Sequence, residues 1–114
     1  GQRLDKPRIL FVGASRTNLK IASYLQKKQK GEITFINRSE KLLVDYRNIP
    51  WSDKKKWVEY DWVIVATTAD SYQLVRGDLS KECKTSMLID LSVPRNIDPE
   101  LGKVIELINI DQVN

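Results

Sequence analysis

The residues of this 114-residue chain that could take part in chemistry are hydroxyls, amides and arginines placed just after short apolar runs. Histidine is absent, so the commonest general acid–base group and the commonest metal ligand are both missing, and we expect no metal site. Cys83 is the only thiol, and because no histidine can activate it, we expect the chain to carry no catalytic residue. The chemistry that remains is the binding of a phosphate-rich ligand.

The first candidate binding segment is a loop that follows the apolar run Arg8 to Val12. Dinucleotide-binding proteins place G-x-G-x-x-G at such a turn, with glycines that permit the tight turn, the approach of the pyrophosphate and close helix packing. Only the first glycine is present here, but the start of a helix still favours an anion through its N–H groups and its dipole. The alternative is a structural turn in which Ser15 or Thr17 caps the helix. The loop consists of Gly13, Ala14, Ser15, Arg16, Thr17 and Asn18.

The second candidate segment ends the apolar run Glu32 to Ile36 and consists of Asn37, Arg38 and Ser39. An NAD-binding domain usually has Asp or Glu at this place, where it binds the ribose 2′-hydroxyl. An arginine and a hydroxyl would instead bind a 2′-phosphate, which a carboxylate would repel. The segment therefore predicts NADPH rather than NADH; the alternative is a polar turn in which Ser39 caps a short helix through Leu43.

Two later apolar runs also end in residues that could line a ligand site. The run Trp62 to Thr67 overlaps the segment Ala66 to Ala69, whose small side chains leave room for a ribose or a nicotinamide ring. The run Met87 to Leu91 leads to Val93 and the rigid Pro94, which could form one wall of a nicotinamide pocket. The alternative in both cases is ordinary loop structure.

These segments need a scaffold that brings them together, and the alternation of apolar runs with amphipathic stretches predicts one. Parallel strands joined by right-handed helical crossovers give a doubly wound, Rossmann-type α/β sheet of six strands in the order 3-2-1-4-5-6. Ligands of such sheets bind beyond the carboxyl ends of the strands. The predicted strands are residues 8–12, 32–36, 47–49, 62–67, 87–91 and 104–110, and the predicted helices are residues 17–28, 53–58 and 78–83.

Length and composition fit a single domain over residues 1–114. No apolar run approaches the roughly eighteen residues that a membrane span needs, and one cysteine fits a reducing compartment, so we expect a cytoplasmic protein. The net charge of +4 could favour nucleic acid, but the basic residues are scattered and no RNA-binding motif accompanies them. We therefore expect no specific nucleic-acid site on this chain and no membrane contact.

Four segments in the right order resemble one family. The run LIDLSVPRNIDPE, Leu88 to Glu100, resembles the signature of glutamyl-tRNA reductases. Asn37-Arg38-Ser39 is similar to their Asn-Arg-Thr, and Ala66 to Ala69 is similar to their Ala-Thr segment. Residues 108–113 (INIDQV) resemble the stretch that leads into their long dimerisation helix.

The resemblance implies an NADPH-binding domain of an enzyme that reduces glutamyl-tRNA to glutamate-1-semialdehyde, an early step of tetrapyrrole (porphyrin and heme) biosynthesis. In that family the thioester-forming cysteine belongs to an amino-terminal catalytic domain, and a carboxy-terminal helix makes the homodimer. The chain alone is therefore expected to bind NADPH and to catalyse nothing.

The resemblance also implies roles for residues of the candidate segments. Gly13 to Asn18 would hold the pyrophosphate, and Asn37 to Ser39 would hold the adenosine 2′-phosphate. Thr67, Thr68 and Val93 would lie beside the nicotinamide and its ribose. Two alternatives stay open: the cofactor domain of another NADP-dependent dehydrogenase, of the shikimate or siroheme type, and a Rossmann-like interaction module whose cofactor site has eroded.

Overall fold

A six-stranded parallel sheet forms the centre of the computed structural model, which describes residues 6–39 and 42–111. The strand order is β3-β2-β1-β4-β5-β6, as the sequence predicts. Every neighbouring pair of strands is parallel. The strands are β1 (Arg8–Val12), β2 (Glu32–Ile36), β3 (Arg47–Ile49), β4 (Trp62–Val65), β5 (Met87–Asp90) and β6 (Glu106–Asn109).

The two faces of the sheet are covered differently. The long α-helix α1 (Arg16–Lys27) packs on one face, where the rings of Phe11 and Phe35 stack with centroids 5.0 Å apart. The other face buries Trp57 completely and is covered by shorter elements rather than by the α-helices that a doubly wound fold predicts. In the part of the chain that the structure describes, these elements are the 3₁₀ helices Trp51–Glu59, Arg76–Asp78 and Pro99–Lys103.

The switch in strand order lies between β1 and β4. From β1 the chain passes to β2 and β3 on one side of the sheet, then returns to β4 on the other side. Val12, the last residue of β1, pairs with Ile36 of β2 and with Val65 of β4, so three strands end side by side. Diverging connections leave a crevice at such a point, which is where ligands of open α/β sheets bind.

The predicted helix over residues 78–83 is wrong. The chain makes only the 3₁₀ turn Arg76–Asp78 there and continues as irregular structure. The Asp78 carboxylate accepts hydrogen bonds from Val75 N (3.1 Å) and from Trp57 Nε1 (2.9 Å), which fixes the turn. Lys84 N then donates to Val58 O over 2.7 Å, so hydrogen bonds to distant parts of the chain replace the local backbone hydrogen bonds of a helix.

The short helix expected from Ser39 through Leu43 is not present at the residues described. Residues 40 and 41 lie outside the described part of the chain, and Leu42 and Leu43 are not helical. The Asn48 side chain holds this segment instead: its Oδ1 accepts from Leu43 N (3.1 Å), and its Nδ2 donates to Leu43 O (2.8 Å). An amide that bonds to loop backbone in this way competes with helix formation.

Several boundaries also differ from the predictions. The helix expected over residues 53–58 falls in the 3₁₀ segment Trp51–Glu59, which begins directly after Pro50 and is kinked at Asp53, where the backbone is not helical (φ −95°, ψ 15°). The strands β4 and β5 end earlier than predicted, because side chains become the partners of Thr67 N and Ser92 N. The strand β6 begins later than predicted, because Val104 N and Ile105 N donate to Leu101 O of the preceding 3₁₀ helix. None of the helices in the described ranges is long and apolar enough to cross a lipid bilayer.

Candidate dinucleotide-binding site

A cavity of about 460 Å³ opens at the carboxyl edge of the sheet. Its walls come from the segments that directly follow four neighbouring strands, β1, β2, β3 and β4. The structure thereby brings together three of the segments that the sequence singled out, and it adds a fourth that follows β3. The lining residues are Gly13, Ala14, Ser15, Asn37, Arg38, Ser39, Trp51, Ala66, Thr67, Thr68 and Ala69.

Gly13 makes the tight turn at the base of the cavity. Its φ is +97°, and a Cβ atom built on it would lie 2.3 Å from the carbonyl oxygen of Ala66. Only glycine adopts this conformation freely and leaves room for the backbone of β4. Gly13 N also donates to Ile36 O over 2.9 Å, so the turn is tied to the end of β2.

Ser15 caps α1 at the cavity wall. It has an extended backbone conformation, and its Oγ accepts a hydrogen bond from Asn18 N over 3.1 Å. Of the two caps considered from the sequence, the structure therefore uses Ser15. A hydroxyl that accepts one hydrogen bond can still donate one, and the helix start contributes partial positive charge. The wall at Ser15 is thus suited to an anion.

Asn18 lies beneath the loop rather than on the cavity wall. It is completely buried, and its Nδ2 donates to Gly13 O (2.9 Å) and Val12 O (3.2 Å). Asn18 occupies the position of the third glycine of the dinucleotide pattern, where its amide supports the loop from below. Its Oδ1 is buried without a hydrogen-bond partner among the described atoms. Arg16 and Thr17 are not among the lining residues; Arg16 borders a shallow groove along the outer side of α1.

Arg38 supplies the positive charge of the cavity wall. It is solvent-exposed and lies two residues beyond the end of β2, between Asn37 and Ser39. Within the described ranges no carboxylate forms an ion pair with it. The guanidinium is therefore available to a ligand, and a planar fork of N–H donors suits a phosphate.

Thr67 is fixed by residues that follow β5. Its Oγ1 donates to Asn96 Oδ1 (2.6 Å), and its N–H donates to Ser92 Oγ (3.1 Å). Asn96 is completely buried and also donates from Nδ2 to Ala69 O over 2.9 Å. The Thr67 hydroxyl is therefore used by the protein itself, and Thr68 is the threonine of this segment whose side chain has no such bond.

Asp90 organises the loop after β5. This buried carboxylate accepts backbone N–H bonds from Ser92 (3.0 Å), Asn96 (2.8 Å) and Ile97 (2.8 Å). Three such bonds compensate the loss of hydration of a buried charge. Val93 lies at the tip of this loop, is 74% exposed and is not among the lining residues.

Sequence reasoning missed two residues of the site. Trp51 lines the cavity although it belongs to none of the candidate segments, and the buried Asn96 joins the loops after β4 and β5. For Trp51 the available signal was its place directly after Pro50 at the end of a predicted strand. Asn96 lies in the run Leu88 to Glu100 that resembles the family signature, but the sequence does not show that it joins two loops, because its partners Thr67, Ala69 and Ser71 are distant in the chain.

The parallel sheet, its strand order and the glycine turn at the switch point define a Rossmann-type α/β domain. The chain belongs to the shikimate/quinate 5-dehydrogenase family, whose model matches residues 1–114.

Curated relatives with significant similarity are glutamyl-tRNA reductases, which confirms the resemblance found in the sequence. That of Thermomicrobium roseum is 30% identical over 120 residues, which cover 96% of this chain and 30% of the relative. That of Chlorobium luteolum is 29% identical over 114 residues, which cover 89% of this chain and 27% of the relative. The chain thus spans less than a third of the length of these relatives.

Solved structures share the fold. Glutamyl-tRNA reductase from Methanopyrus kandleri superimposes with a TM-score of 0.74 at 18% identity, over 93% of this chain and 30% of that one. The nucleotide binding domain of glutamyl-tRNA reductase from Thermoplasma volcanium superimposes with a TM-score of 0.66 at 23% identity, over 90% of this chain and 74% of that one. The A chain of dipicolinate synthase from Bacillus subtilis superimposes with a TM-score of 0.71 at 19% identity, over 95% of this chain and 38% of that one.

Proposed function

We propose that this chain is the NADPH-binding domain of a glutamyl-tRNA reductase, which reduces glutamyl-tRNA to glutamate-1-semialdehyde in tetrapyrrole biosynthesis. The observation that carries the proposal is the place of Arg38: it lines the same cavity as the Gly13 turn and has no carboxylate beside it in the described structure. The similarity to glutamyl-tRNA reductases supports the choice of enzyme. The nucleotide binding domain named for the Thermoplasma volcanium structure supports the choice of ligand.

The residues present fit a phosphorylated dinucleotide. The backbone of Gly13, Ala14 and Ser15 offers donors at a helix start for the pyrophosphate. Arg38, with Asn37 and Ser39, offers a guanidinium and polar groups for the adenosine 2′-phosphate. The cavity volume falls in the range usual for small-molecule sites. None of the lining residues that the structure describes carries a negative charge that would repel the extra phosphate that distinguishes NADPH from NADH.

The remaining predicted contacts take different roles in this proposal. Asn18 supports the loop from below, and Arg16 and Thr17 contribute through the charge and dipole of the helix start. Thr68 would contact the nicotinamide ribose, while Thr67 holds the loop in place. Val93, exposed at the tip of the β5 loop, would face the nicotinamide ring at the outer edge of the site.

When bound, the cofactor supplies the hydride; the chain binds and orients it. Among the described residues we find no group placed for acid–base or nucleophilic work at the cavity, so we propose that this chain alone turns over no substrate. In this proposal the full-length enzyme acts on glutamyl-tRNA, forms a homodimer and is located in the cytoplasm.

Cofactor titration tests the proposal. The 114-residue chain is titrated with NADPH and with NADH by fluorescence or calorimetry, beside the variant Arg38→Ala. We expect NADPH to bind at least about tenfold more tightly than NADH, because a charge-assisted hydrogen bond to the 2′-phosphate contributes about 1.5–3 kcal/mol. Arg38→Ala should lose that preference. Equal affinity for the two cofactors, or no binding at millimolar concentration, would contradict the proposal.

A second candidate is the cofactor domain of a shikimate- or quinate-type dehydrogenase, which the matching family model favours. It uses the same cavity and the same cofactor but a different substrate. The sequence of the full-length protein separates the two, because a glutamyl-tRNA reductase requires a domain with a nucleophilic cysteine before this one. Activity of that full-length protein with shikimate, and none with glutamyl-tRNA, would select the second candidate.

A further inference from the structure

We propose that Lys54, held against the Trp51 ring, is a second cation for the adenosine 2′-phosphate and forms a two-cation site with Arg38. The inference rests on the proposed function and deepens it, because it assigns part of the cofactor selectivity to a segment that follows β3. The ligand group concerned is a dianionic phosphate ester on adenosine.

The register of the sheet brings the two segments together. Ile36 at the end of β2 pairs with Ile49 at the end of β3. Arg38 and Trp51 each lie two residues beyond this pair, so they leave the sheet side by side, and both line the cavity. Trp51 is thus the neighbour of Arg38 on the cavity wall.

Lys54 is not itself among the residues that line the cavity, but it is anchored on the ring of Trp51, which is. Its Nζ lies 4.9 Å from the ring centroid and donates to Gln73 Oε1 over 3.0 Å. Gln73 is itself buried and fixed, since its Nε2 donates to Ser71 O over 3.1 Å. An ammonium has three donors, and one is used here. Within the described ranges no carboxylate lies within ion-pair distance of Lys54.

The electrostatics of this arrangement favour an anion. Burial lowers the pKa of Lys54; the Asp78 carboxylate opposes this, and the positive charges of Arg38 and Lys55 lower it further. Asp78 is already committed to Trp57 Nε1 and Val75 N. The charges of Arg38 and Lys54 repel each other, and a dianionic phosphate that contacts both cations would reduce this repulsion.

The test compares two adjacent lysines in the 114-residue chain. Lys54→Gln removes the proposed cation, and Lys55→Gln removes the same charge from an exposed position of the same 3₁₀ helix. Each variant is titrated with NADPH and NADH, and with adenosine 2′,5′-bisphosphate and AMP as the probes for the 2′-phosphate alone. Thermal unfolding of each variant checks that the fold is unchanged.

We expect Lys54→Gln to weaken the binding of NADPH and of adenosine 2′,5′-bisphosphate about tenfold, a change of about 1.4 kcal/mol in binding free energy. The affinities for NADH and AMP should change less than about twofold. Lys55→Gln should change the affinities for all four ligands by less than about twofold. Lys54→Arg should restore most of the preference because it keeps the charge.

Three results would overturn the inference. If Lys54→Gln behaves like Lys55→Gln while Arg38→Ala abolishes the preference, Lys54 only packs on Trp51 and the proposed function stands. If Lys54→Gln weakens NADPH and NADH equally, its role is structural. If the unmodified chain shows no preference for the 2′-phosphate, the proposed function fails and this inference fails with it.

Discussion

The proposed phosphate site has two ends that differ in how their polar groups are used. At the loop end, which we define as Gly13 to Asn18, the Ser15 Oγ and the Asn18 amide are bonded to the chain itself. At the cationic end, which we define as Arg38 and Lys54, neither side chain forms an ion pair with a described carboxylate, although Lys54 Nζ donates to Gln73 Oε1 and is influenced by the charge of Asp78. The loop end therefore holds the fold together, while the cationic end keeps its charge for a ligand.

We therefore expect the loop end to determine the stability of the fold and the cationic end to determine the selectivity for NADPH over NADH. Substitutions in the loop end should lower the free energy of unfolding and affect NADPH and NADH alike, because both cofactors have the pyrophosphate. Substitutions in the cationic end should leave stability almost unchanged and affect NADPH alone. Measurements of unfolding and of binding on the same variants therefore test the comparison directly.

The largest effect is expected for Gly13→Ala. Its Cβ would meet the Ala66 carbonyl oxygen at 2.3 Å, at a φ that L residues rarely adopt. We expect a loss of at least about 3 kcal/mol in the free energy of unfolding and a drop of more than about 10 °C in Tm. The control is Gly77→Ala, where a Cβ meets nothing within 4 Å. Equal Tm values for the two variants would break the comparison.

Asn18→Ala should come next. It removes the donors to Gly13 O and Val12 O and leaves a space under the loop. We expect a loss of about 2 kcal/mol, measured by denaturant unfolding, with the NADPH/NADH preference unchanged. Asn109→Ala, at an exposed position of β6, serves as the control. A changed preference in Asn18→Ala would show that the loop end also reads the 2′-phosphate.

Ser15→Ala sharpens the comparison with a smaller effect. Loss of the cap on Asn18 N should cost about 1 kcal/mol of stability. Both cofactors should bind more weakly by the same factor, because the hydroxyl lies at the pyrophosphate. The matched control is Ser52→Ala, at an exposed position of the 3₁₀ helix Trp51–Glu59. If only NADPH binding falls, the assignment of this wall to the pyrophosphate is incorrect.

Arg38→Ala should have the smallest effect on stability, within about 0.5 kcal/mol, because the residue is exposed and makes no ion pair in the described ranges. Its effect appears instead in the salt dependence of binding. In the unmodified chain, NADPH affinity should fall more steeply with ionic strength than NADH affinity, and Arg38→Ala should reduce that difference. Parallel slopes for both cofactors in the unmodified chain would contradict a charged 2′-phosphate contact.

The fold followed largely from the apolar runs. β1 and β2 have the predicted bounds, because a parallel strand buried on both faces gives an uninterrupted apolar run. The predicted helix over residues 78–83 failed, because Asp78 is held by Trp57 and Val75, contacts that local patterns do not reveal. The covering of the second face by 3₁₀ helices likewise depends on tertiary packing.

The candidate site was only partly visible in the sequence. Arg38 could be singled out because its chemistry and its place after β2 suffice to suggest a phosphate contact. Trp51 was marked only by its place after a predicted strand, and Lys54 was not marked at all, because their relation to Arg38 depends on the register of β3 against β2. Asn96 lies in the run that resembles the family signature, but its role in joining two loops could not be predicted, because its partners Thr67 and Ala69 are distant in the chain.

The decisive experiment is a crystal structure of the chain with bound NADPH. We expect the adenosine 2′-phosphate within hydrogen-bond distance of the Arg38 guanidinium, with the pyrophosphate over the turn at Gly13 and Ser15. A 2′-phosphate that lies in solvent away from Arg38, or a Gly13 loop folded across the cavity with no cofactor in it, would contradict the account.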